Sequence, residues 1–172
     1  MQRGVGLLAI IATIAVACTV ATVAQAQSTG TGIVPGQGLG GFRIGQDVAP
    51  IITSLGPLHQ QDDFPGGSLR GYYWPLRRIA VIVNKDTQKV AALGISYDDG
   101  YQTEKGVQAG SQLEAIRQAY GQEETIDNHQ DDDTFVYDKL GVAFVVDKNG
   151  ALGGRVSVIF VFTQGQYKDI FK

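Results

Sequence analysis

The sequence predicts an α+β fold, built from two α-β-β-β repeats whose short helices pack on an antiparallel sheet. Glycine is abundant, with 23 residues among 172, which suits a turn-rich sheet protein better than a helical bundle. Short runs rich in valine, isoleucine, tyrosine and phenylalanine alternate with turn residues, as is typical of antiparallel strands. The chain also matches itself, because the segment 44–56 aligns with 109–121 at a constant separation of 65 positions.

Composition limits the classes of function. Hydrophobic residues make up 44% of the chain and charged residues 18%, as in ordinary globular proteins. The formal net charge of −3 provides no basic surface that could displace counterions from nucleic-acid phosphates. We therefore expect a folded protein that does not bind nucleic acid.

The first 26 residues are predicted to be a signal peptide. One arginine precedes an uncharged apolar run over 4–24, and the small residues around Ala26 fit cleavage after that position. Two alternatives stay open. The run of about 21 residues is long enough for an uncleaved membrane anchor, and Ala15–Cys18 resembles a bacterial lipobox in which Cys18 would be lipidated. All three outcomes place the body outside the cytoplasm, either periplasmic or secreted.

Residues 27–41 are rich in glycine, serine and threonine and predict a flexible tether before the folded body. Repeat 1 then covers 42–100 and repeat 2 covers 101–172. Cleavage after Ala26 would remove Cys18, the only cysteine, so the mature body would have no disulfide, thiol nucleophile or thiolate metal ligand. Burial of apolar side chains must then supply its stability.

Each repeat is predicted to begin with a short amphipathic helix, over 47–56 in the first and 111–121 in the second. Apolar residues recur at helical spacing and form one buried stripe on each helix. The residues of these stripes are Val48, Ile51, Ile52 and Leu55, and then Leu113, Ile116 and Tyr120. Gly56 and Gly121 are expected to end the helices, because glycine adopts the left-handed conformation without a Cβ penalty.

Three strands are predicted after each helix, separated by turn residues such as those at 149–150. They cover 69–74, 78–83 and 89–97 in repeat 1, and 134–138, 142–147 and 155–163 in repeat 2. The acidic segments between helix and sheet, 59–63 and 129–133, are predicted to be solvated loops. Tyr73 and Leu76 have aligned counterparts in repeat 2, so we expect them to belong to the shared core.

A pattern of apolar residues and glycines recurs in both repeats and is followed by a tyrosine-bearing hairpin. In repeat 1 it comprises Gly45, Val48, Ile51, Leu55 and Gly56, and in repeat 2 it extends from Gly110 to Gly121. This pattern resembles the repeat unit of the small outer-membrane lipoprotein of the β-barrel assembly machinery, and it is similar to the tandem-repeat β-lactamase-inhibitory protein fold. The resemblance implies the fold, an extracytoplasmic location and a binding role. The chain lacks the cysteine pairs of the inhibitor repeats, and no inhibitor contact residue is carried over.

No residues form a recognisable catalytic set, so the chain is predicted not to be an enzyme, and no cofactor is expected. Its two histidines, His59 and His129, lie outside any serine-bearing glycine elbow. They neighbour clustered aspartates that could attract a divalent cation, but neither segment has the spacing of an EF-hand. No metal ligand is therefore predicted. An enzyme with an unrecognised carboxylate site and a divalent-ion-dependent structural protein stay open as alternatives.

The most distinctive surface candidate is the segment 70–78, which holds the only tryptophan and three arginines in an acidic protein. Aromatic residues and arginine are enriched in protein interfaces. The predicted binding residues are Arg70, Trp74, Arg77 and Arg78. The alternative is that Trp74 packs at the sheet edge and that the arginines neutralise Asp62 and Asp63.

Together these features predict an exported, non-enzymatic binding or scaffold protein of the cell envelope or secretome. Its partner would be another envelope or secreted protein. Contact with a membrane is expected only through an N-terminal anchor or through a lipid on Cys18.

Overall fold

The computed structural model describes residues 32–57, 60–97 and 100–172. The predicted signal peptide, Cys18 and His59 lie outside these ranges. The helices are α1 Val48–Leu55, α2 Leu113–Tyr120 and α3 Tyr167–Phe171. Within the described part of the chain, no helix has the length and apolar character needed to cross a bilayer.

Twelve strands occur in the described ranges, most of them in two groups of four that each follow a helix. The strands up to the middle of the chain are β1 Gly32–Val34, β2 Gly38–Leu39, β3 Phe42–Arg43, β4 Gln60–Asp63, β5 Leu69–Trp74, β6 Ile79–Asn84 and β7 Val90–Ser96. The later strands are β8 Gln102–Thr103, β9 Thr125–Asn128, β10 Asp132–Tyr137, β11 Val142–Asp147 and β12 Val156–Phe162. We refer to 32–97 as the first half and to 100–172 as the second half.

Eight of the strands form one antiparallel sheet in the order β4-β5-β6-β7-β12-β11-β10-β9. The other four form a smaller sheet in the order β3-β2-β1-β8, in which β1 and β8 run parallel. The central pair of the large sheet joins β7 to β12, so the two halves share one continuous hydrogen-bonded ladder. The structure therefore confirms a sheet-dominated α+β fold.

The inner face of the large sheet packs against α1, α2 and the small sheet. Strand alternation directs every second side chain to this face, as in β6, where Val81 and Val83 belong to the inner apolar cluster. Ile82, which lies between them, belongs to a separate cluster on the outer face. Ile51 of α1 and Ile116 of α2 are fully buried in the inner cluster. This alternation makes the inner face the main core.

The outer face of the large sheet is covered only in part, by α3. Tyr167 and Ile170 of this helix are buried in the outer cluster together with Phe162 of β12. Gly94 makes room on this face, because a Cβ atom there would lie 2.6 Å from Cε1 of Phe160. Beside α3, an apolar area of the outer face is not covered by any described element.

The two helices and the six predicted strands all occur, with bounds that differ by about two residues at most. The loop predictions for 59–63 and 129–133 are wrong, because β4 occupies most of the first segment and β10 begins within the second. A strand β9 also precedes the second segment, so each half has four strands after its helix rather than three. All four residues of β4 are polar and exposed. Its pairing with β5 therefore has no hydrophobic alternation that could have predicted it.

The prediction of a flexible tether over 27–41 is wrong from residue 32 onwards. Ile33 in β1 and Leu39 in β2 are 0% and 1% exposed and belong to the inner cluster. Gly36 approaches the second half closely, since its N–H donates to the carbonyl of Gly141 at 3.1 Å. Glycine permits such close backbone contact, so a composition typical of linkers here forms part of the fold.

An ion pair connects α2 to the segment that follows it. The Arg117 guanidinium donates to both carboxylate oxygens of Glu123, with Nη2–Oε1 at 2.7 Å and Nε–Oε2 at 3.1 Å. The side chain of Glu123 is only 2% exposed, and the hydrogen bond from Arg117 lowers the pKa of its carboxyl group. A pKa that is lower in the folded state means that folding stabilises the ionised carboxylate.

We expect Arg117→Ala to lower the free energy of unfolding by about 2 kcal/mol at neutral pH, because a buried carboxylate loses its positively charged partner. In the wild type, the contribution of Glu123 should be fully present above the ordinary pKa of a glutamate. It should then be lost as the pH falls through the lowered folded value. Urea denaturation at a series of pH values measures both effects.

The control for this prediction is Lys139→Ala, which breaks an exposed pair with Glu124 whose Nζ–Oε2 distance is 3.5 Å. This change should cost less than about 0.5 kcal/mol. An acid dependence of stability that is identical in wild type and Arg117→Ala would show that the pair does not act in this way.

Candidate functional site

Trp74 is buried rather than part of a binding surface. Its side chain is 2% exposed, and its Nε1 donates a hydrogen bond of 3.1 Å to the carbonyl of Gly56 at the end of α1. The ring also lies 6.4 Å from that of Tyr72, centroid to centroid. The prediction that Trp74 binds a partner is therefore wrong, because its position in β5 directs it to the inner face.

Arg70 is engaged within the sheet. Its Nε donates to Oδ1 of Asp63 at 2.7 Å, and Lys85 Nζ contacts Oδ2 of the same carboxylate at 2.9 Å. The hydrogen bond from Arg70 and, to a smaller extent, that from Lys85 hold the pKa of Asp63 well below its usual range. One charge cluster thus connects β4, β5 and the turn that follows β6. For Arg70 the alternative interpretation is confirmed, since the guanidinium neutralises an adjacent aspartate.

Arg77 and Arg78 lie in the turn between β5 and β6, together with Leu76, and we call these three residues the β5–β6 tip. Both arginines are exposed, and neither forms an ion pair or a side-chain hydrogen bond with another residue that the structure describes. The turn is closed by backbone bonds from Arg77 N to Trp74 O at 3.0 Å and from Arg78 N to Pro75 O at 3.2 Å. Of the predicted binding residues, Arg77 and Arg78 are thus the accessible ones.

Leu76 and Tyr73 do not occupy the core positions that were predicted for them. Leu76 is 86% exposed, and Tyr73 is half-buried on the outer face of the sheet. The residue of β10 that resembles Trp74 in its contacts is Tyr137, which is 2% exposed and whose hydroxyl donates to the carbonyl of Gly121 at 2.9 Å. The sequence alignment matched Tyr137 with Tyr73, which is one position away from Trp74, and a shift of one position exchanges the two faces of a strand.

A concave apolar surface lies on the outer face beside α3, and we call it the outer cleft. It has a cavity volume of about 380 Å³. Its lining consists of Gln60, Asp62, Phe64, Gly71, Tyr72, Tyr73, Ala80, Ile82, Phe160 and Phe171. Asp62 is the sole ionisable group among these apart from the two tyrosines, so aromatic and aliphatic side chains dominate the surface. Alternation along β5 and β6 could have placed Tyr73 and Ala80 on one face, but sequence reasoning missed the cleft.

A second cleft lies on the other side of α3, with a cavity volume of about 440 Å³. It contains the carboxylates of Asp127 and Asp132 together with His129. Nε2 of His129 is 4.0 Å from Oδ2 of Asp127, which is beyond hydrogen-bond distance. The same carboxylate accepts a 3.2 Å bond from the hydroxyl of Tyr167 and pairs with Lys172 at 3.2 Å. Burial, and then the charge of Asp127, raises the pKa of Tyr167, so the phenol stays protonated at neutral pH.

These side chains do not form the hydrogen-bonded nucleophile and base that nucleophilic catalysis requires. The described residues also contain no group of three or more histidine, cysteine, aspartate or glutamate side chains that could hold a metal ion. Two accessible features remain from the residues considered above: the outer cleft, which is mainly apolar, and the β5–β6 tip, which is basic.

No protein-family model matches the sequence, and no curated protein matches it. Among solved structures, the fold is similar to that of a DUF4309 family protein, YjgB, from Bacillus subtilis, with a TM-score of 0.50 and 12% sequence identity. The similarity covers 74% of this chain and 88% of that one. A cysteine-rich secretory protein from Staphylococcus aureus has a TM-score of 0.46 and 12% identity, over 81% of this chain and 50% of that one. At such identity the first similarity shows a shared fold alone.

Proposed function

We propose that this chain is an exported, non-enzymatic binding protein of the cell envelope or secretome, and that the outer cleft is its ligand-binding surface. The observation that carries the proposal is the cleft itself, a cavity of about 380 Å³ lined mainly by apolar side chains that remain partly exposed. Concave, mostly apolar surfaces with few polar groups are typical of ligand sites. Export is proposed from the apolar segment over 4–24.

The cleft is suited to a neutral or cationic apolar group. Its single carboxylate, on Asp62, is exposed and accepts a 3.0 Å bond from Nε2 of Gln60, so an anionic ligand would meet like charge. Both residues belong to β4, which is an edge strand paired only with β5 in the described sheet. An edge strand beside apolar pockets can bind an extended peptide, because backbone bonds add to side-chain burial. We therefore propose, as ligand, an extended peptide segment with an apolar side chain in the cleft.

We also propose that the two halves are copies of one unit, each a helix followed by four strands. Corresponding contacts support this. The N–H of Gly45 donates to the carbonyl of Val90 at 2.8 Å, and that of Gly110 to Val156 at 2.8 Å. Both helices also end at a glycine whose carbonyl accepts a bond from an aromatic side chain of the second strand that follows. The strand pairs β6–β7 and β11–β12 have their register irregularity at the same relative position.

Two positions that line the outer cleft differ in burial between the halves. Tyr73 and Ala80, which line it, correspond in strand position to Val136 and Ala143 of the second half. Val136 and Ala143 are 1% and 0% exposed and belong to the cluster that includes α3. At these two positions the sheet surface is covered in the second half and accessible in the first, which supports a binding role for Tyr73 and Ala80. The second cleft uses other positions of the same face, because it is lined by Thr134 and Val145 rather than by Val136 and Ala143.

Filling the cleft should weaken binding. We expect the wild type to bind the neutral apolar fluorophore phenylnaphthylamine saturably, and Ala80→Phe to weaken that binding about tenfold or more because its ring would occupy the cavity. Fluorescence titration measures both affinities, and peptides with apolar residues at alternate positions should displace the probe.

The matched control is Ala115→Phe, which adds the same atoms at an exposed position of α2, beyond the opposite face of the sheet. It should leave the affinity unchanged. Equal affinities in Ala80→Phe and the wild type would remove the outer cleft as the binding surface.

A further inference from the structure

The β5–β6 tip combines features that the outer cleft does not use. Leu76 is 86% exposed, whereas the other exposed large hydrophobic residues of the described chain do not exceed 40%. Two exposed arginines without acidic partners among the described residues follow it directly. In a chain with a net charge of −3, this places one apolar side chain and two positive charges together on a single turn.

The backbone holds these side chains in a defined arrangement. Arg78 has a φ of 55°, in the left-handed region that glycine normally occupies. Its carbonyl accepts a 3.0 Å bond from the N–H of Ser96 in β7, and the strand before the turn ends at the buried Trp74. An arginine in this conformation carries a backbone penalty that a glycine would avoid.

The corresponding turn of the second half, between β10 and β11, lacks these features. Its left-handed position is Gly141, with a φ of 71°. Lys139 pairs with Glu124 at 3.5 Å, and Asp138 accepts a 3.1 Å bond from the backbone N–H of Tyr167. Leu140 is 38% exposed, less than half the value for Leu76. The second turn is therefore neutralised and attached to the fold, and it provides an internal comparison.

We propose that the β5–β6 tip docks the protein on an anionic lipid membrane, with Leu76 inserted below the headgroups and Arg77 and Arg78 on their phosphates. The positive charge of the tip complements an anionic surface, and an exposed apolar side chain beside such contacts suits an interface of water and hydrocarbon. A stable protein interface buries about 800 Å² on each partner, which the three side chains of one exposed turn do not supply. A lipid surface requires no such complementarity of shape. This contact is additional to the N-terminal membrane attachments expected from the sequence.

Vesicle flotation of the full chain tests the proposal. The measured quantity is the ratio of binding to vesicles with about 30 mol % phosphatidylserine in phosphatidylcholine over binding to phosphatidylcholine alone. All variants keep residues 1–31, so their contribution is common to every comparison. Removal of each arginine should lower the ratio about fivefold, and therefore about 25-fold for Arg77→Gln combined with Arg78→Gly. Leu76→Ser should lower binding to the anionic vesicles about tenfold.

The controls separate docking from an effect on folding. Arg78→Gly relaxes the backbone of the turn, so a loss of binding in this variant cannot come from a weaker hairpin. Lys139→Gln and Leu140→Ser make the equivalent changes in the comparison turn and should leave the ratio unchanged.

Two results would overturn the proposal. The first is an anionic preference that is the same in the wild type and in the variant lacking both arginines. The second is a wild type that floats with neither vesicle, while polyglutamate protects Arg77 and Arg78 from modification by phenylglyoxal. That outcome would assign the tip to an acidic protein partner instead.

Discussion

Trp74→Ala is expected to lower the free energy of unfolding by about 4 kcal/mol, because it removes the largest fully buried side chain of the inner core. Trp74→Phe should cost about 2 kcal/mol, since it keeps an aromatic ring but leaves the carbonyl of Gly56 without its donor. Urea denaturation followed by far-UV circular dichroism is the suitable measurement, because Trp74 is the only tryptophan and the variants lose its fluorescence.

Leu76→Ala provides the comparison two positions away in the same hairpin. It should change the free energy of unfolding by less than about 0.5 kcal/mol, because the side chain is already in solvent. The folded Trp74→Phe protein should also retain the affinity of the outer cleft for its apolar probe. If Trp74→Ala unfolded at the same urea concentration as the wild type, the side chain would not be part of the core.

Gly141→Ala is expected to cost about 3 kcal/mol or more, from two effects at one position. Its φ of 71° lies in the left-handed region, and an added Cβ would lie 2.7 Å from Cα of Gly36. The Cβ would also collide with the carbonyl oxygen of Phe162. Both obstacles are backbone atoms, so no side chain can rotate away to relieve the contact. The melting temperature and the urea midpoint should both fall.

Gly106→Ala separates backbone conformation from crowding. Gly106 has a φ of 78°, and an added Cβ would meet no atom within 4 Å. Its substitution should therefore cost only about 1 kcal/mol, the penalty of the left-handed conformation. Equal losses in Gly141→Ala and Gly106→Ala would mean that crowding against Gly36 and Phe162 adds nothing to the cost at position 141.

Local patterns were sufficient to predict the helices and the central strands. The apolar stripes of α1 and α2 and the glycines that follow them define the helix ends, and β6, β7, β11 and β12 are dense in β-branched residues. The edge strand β4 was not predictable in this way, because its residues are polar and exposed and its place depends on pairing with β5. Ile33 and Leu39 were missed because two apolar residues among glycines give no period.

The site predictions depended on knowing which face each residue occupies. Composition correctly drew attention to the segment 70–78, but it could not show that Trp74 faces the core while Arg77 and Arg78 face solvent. The outer cleft was not predictable from local pattern, because it exists where α3 stops covering the sheet. The position of α3 is set by contacts between residues far apart in the chain, such as Tyr167 with Asp127 and Asp138.

The pairing of β7 with β12 bears on how such a chain could have arisen. If the halves are copies, β7 and β12 are equivalent strands, and their antiparallel register places Gly94 opposite its own counterpart, Phe160. A two-fold axis through that pair is the symmetry of a homodimer, so a single ancestral unit could have closed the same eight-stranded sheet by self-association. Identical subunits must carry the same residue on both sides of the axis. Fusion into one polypeptide removes this restriction, and here the axis holds a glycine on one side and, on the other, a phenylalanine whose ring fills the space above it.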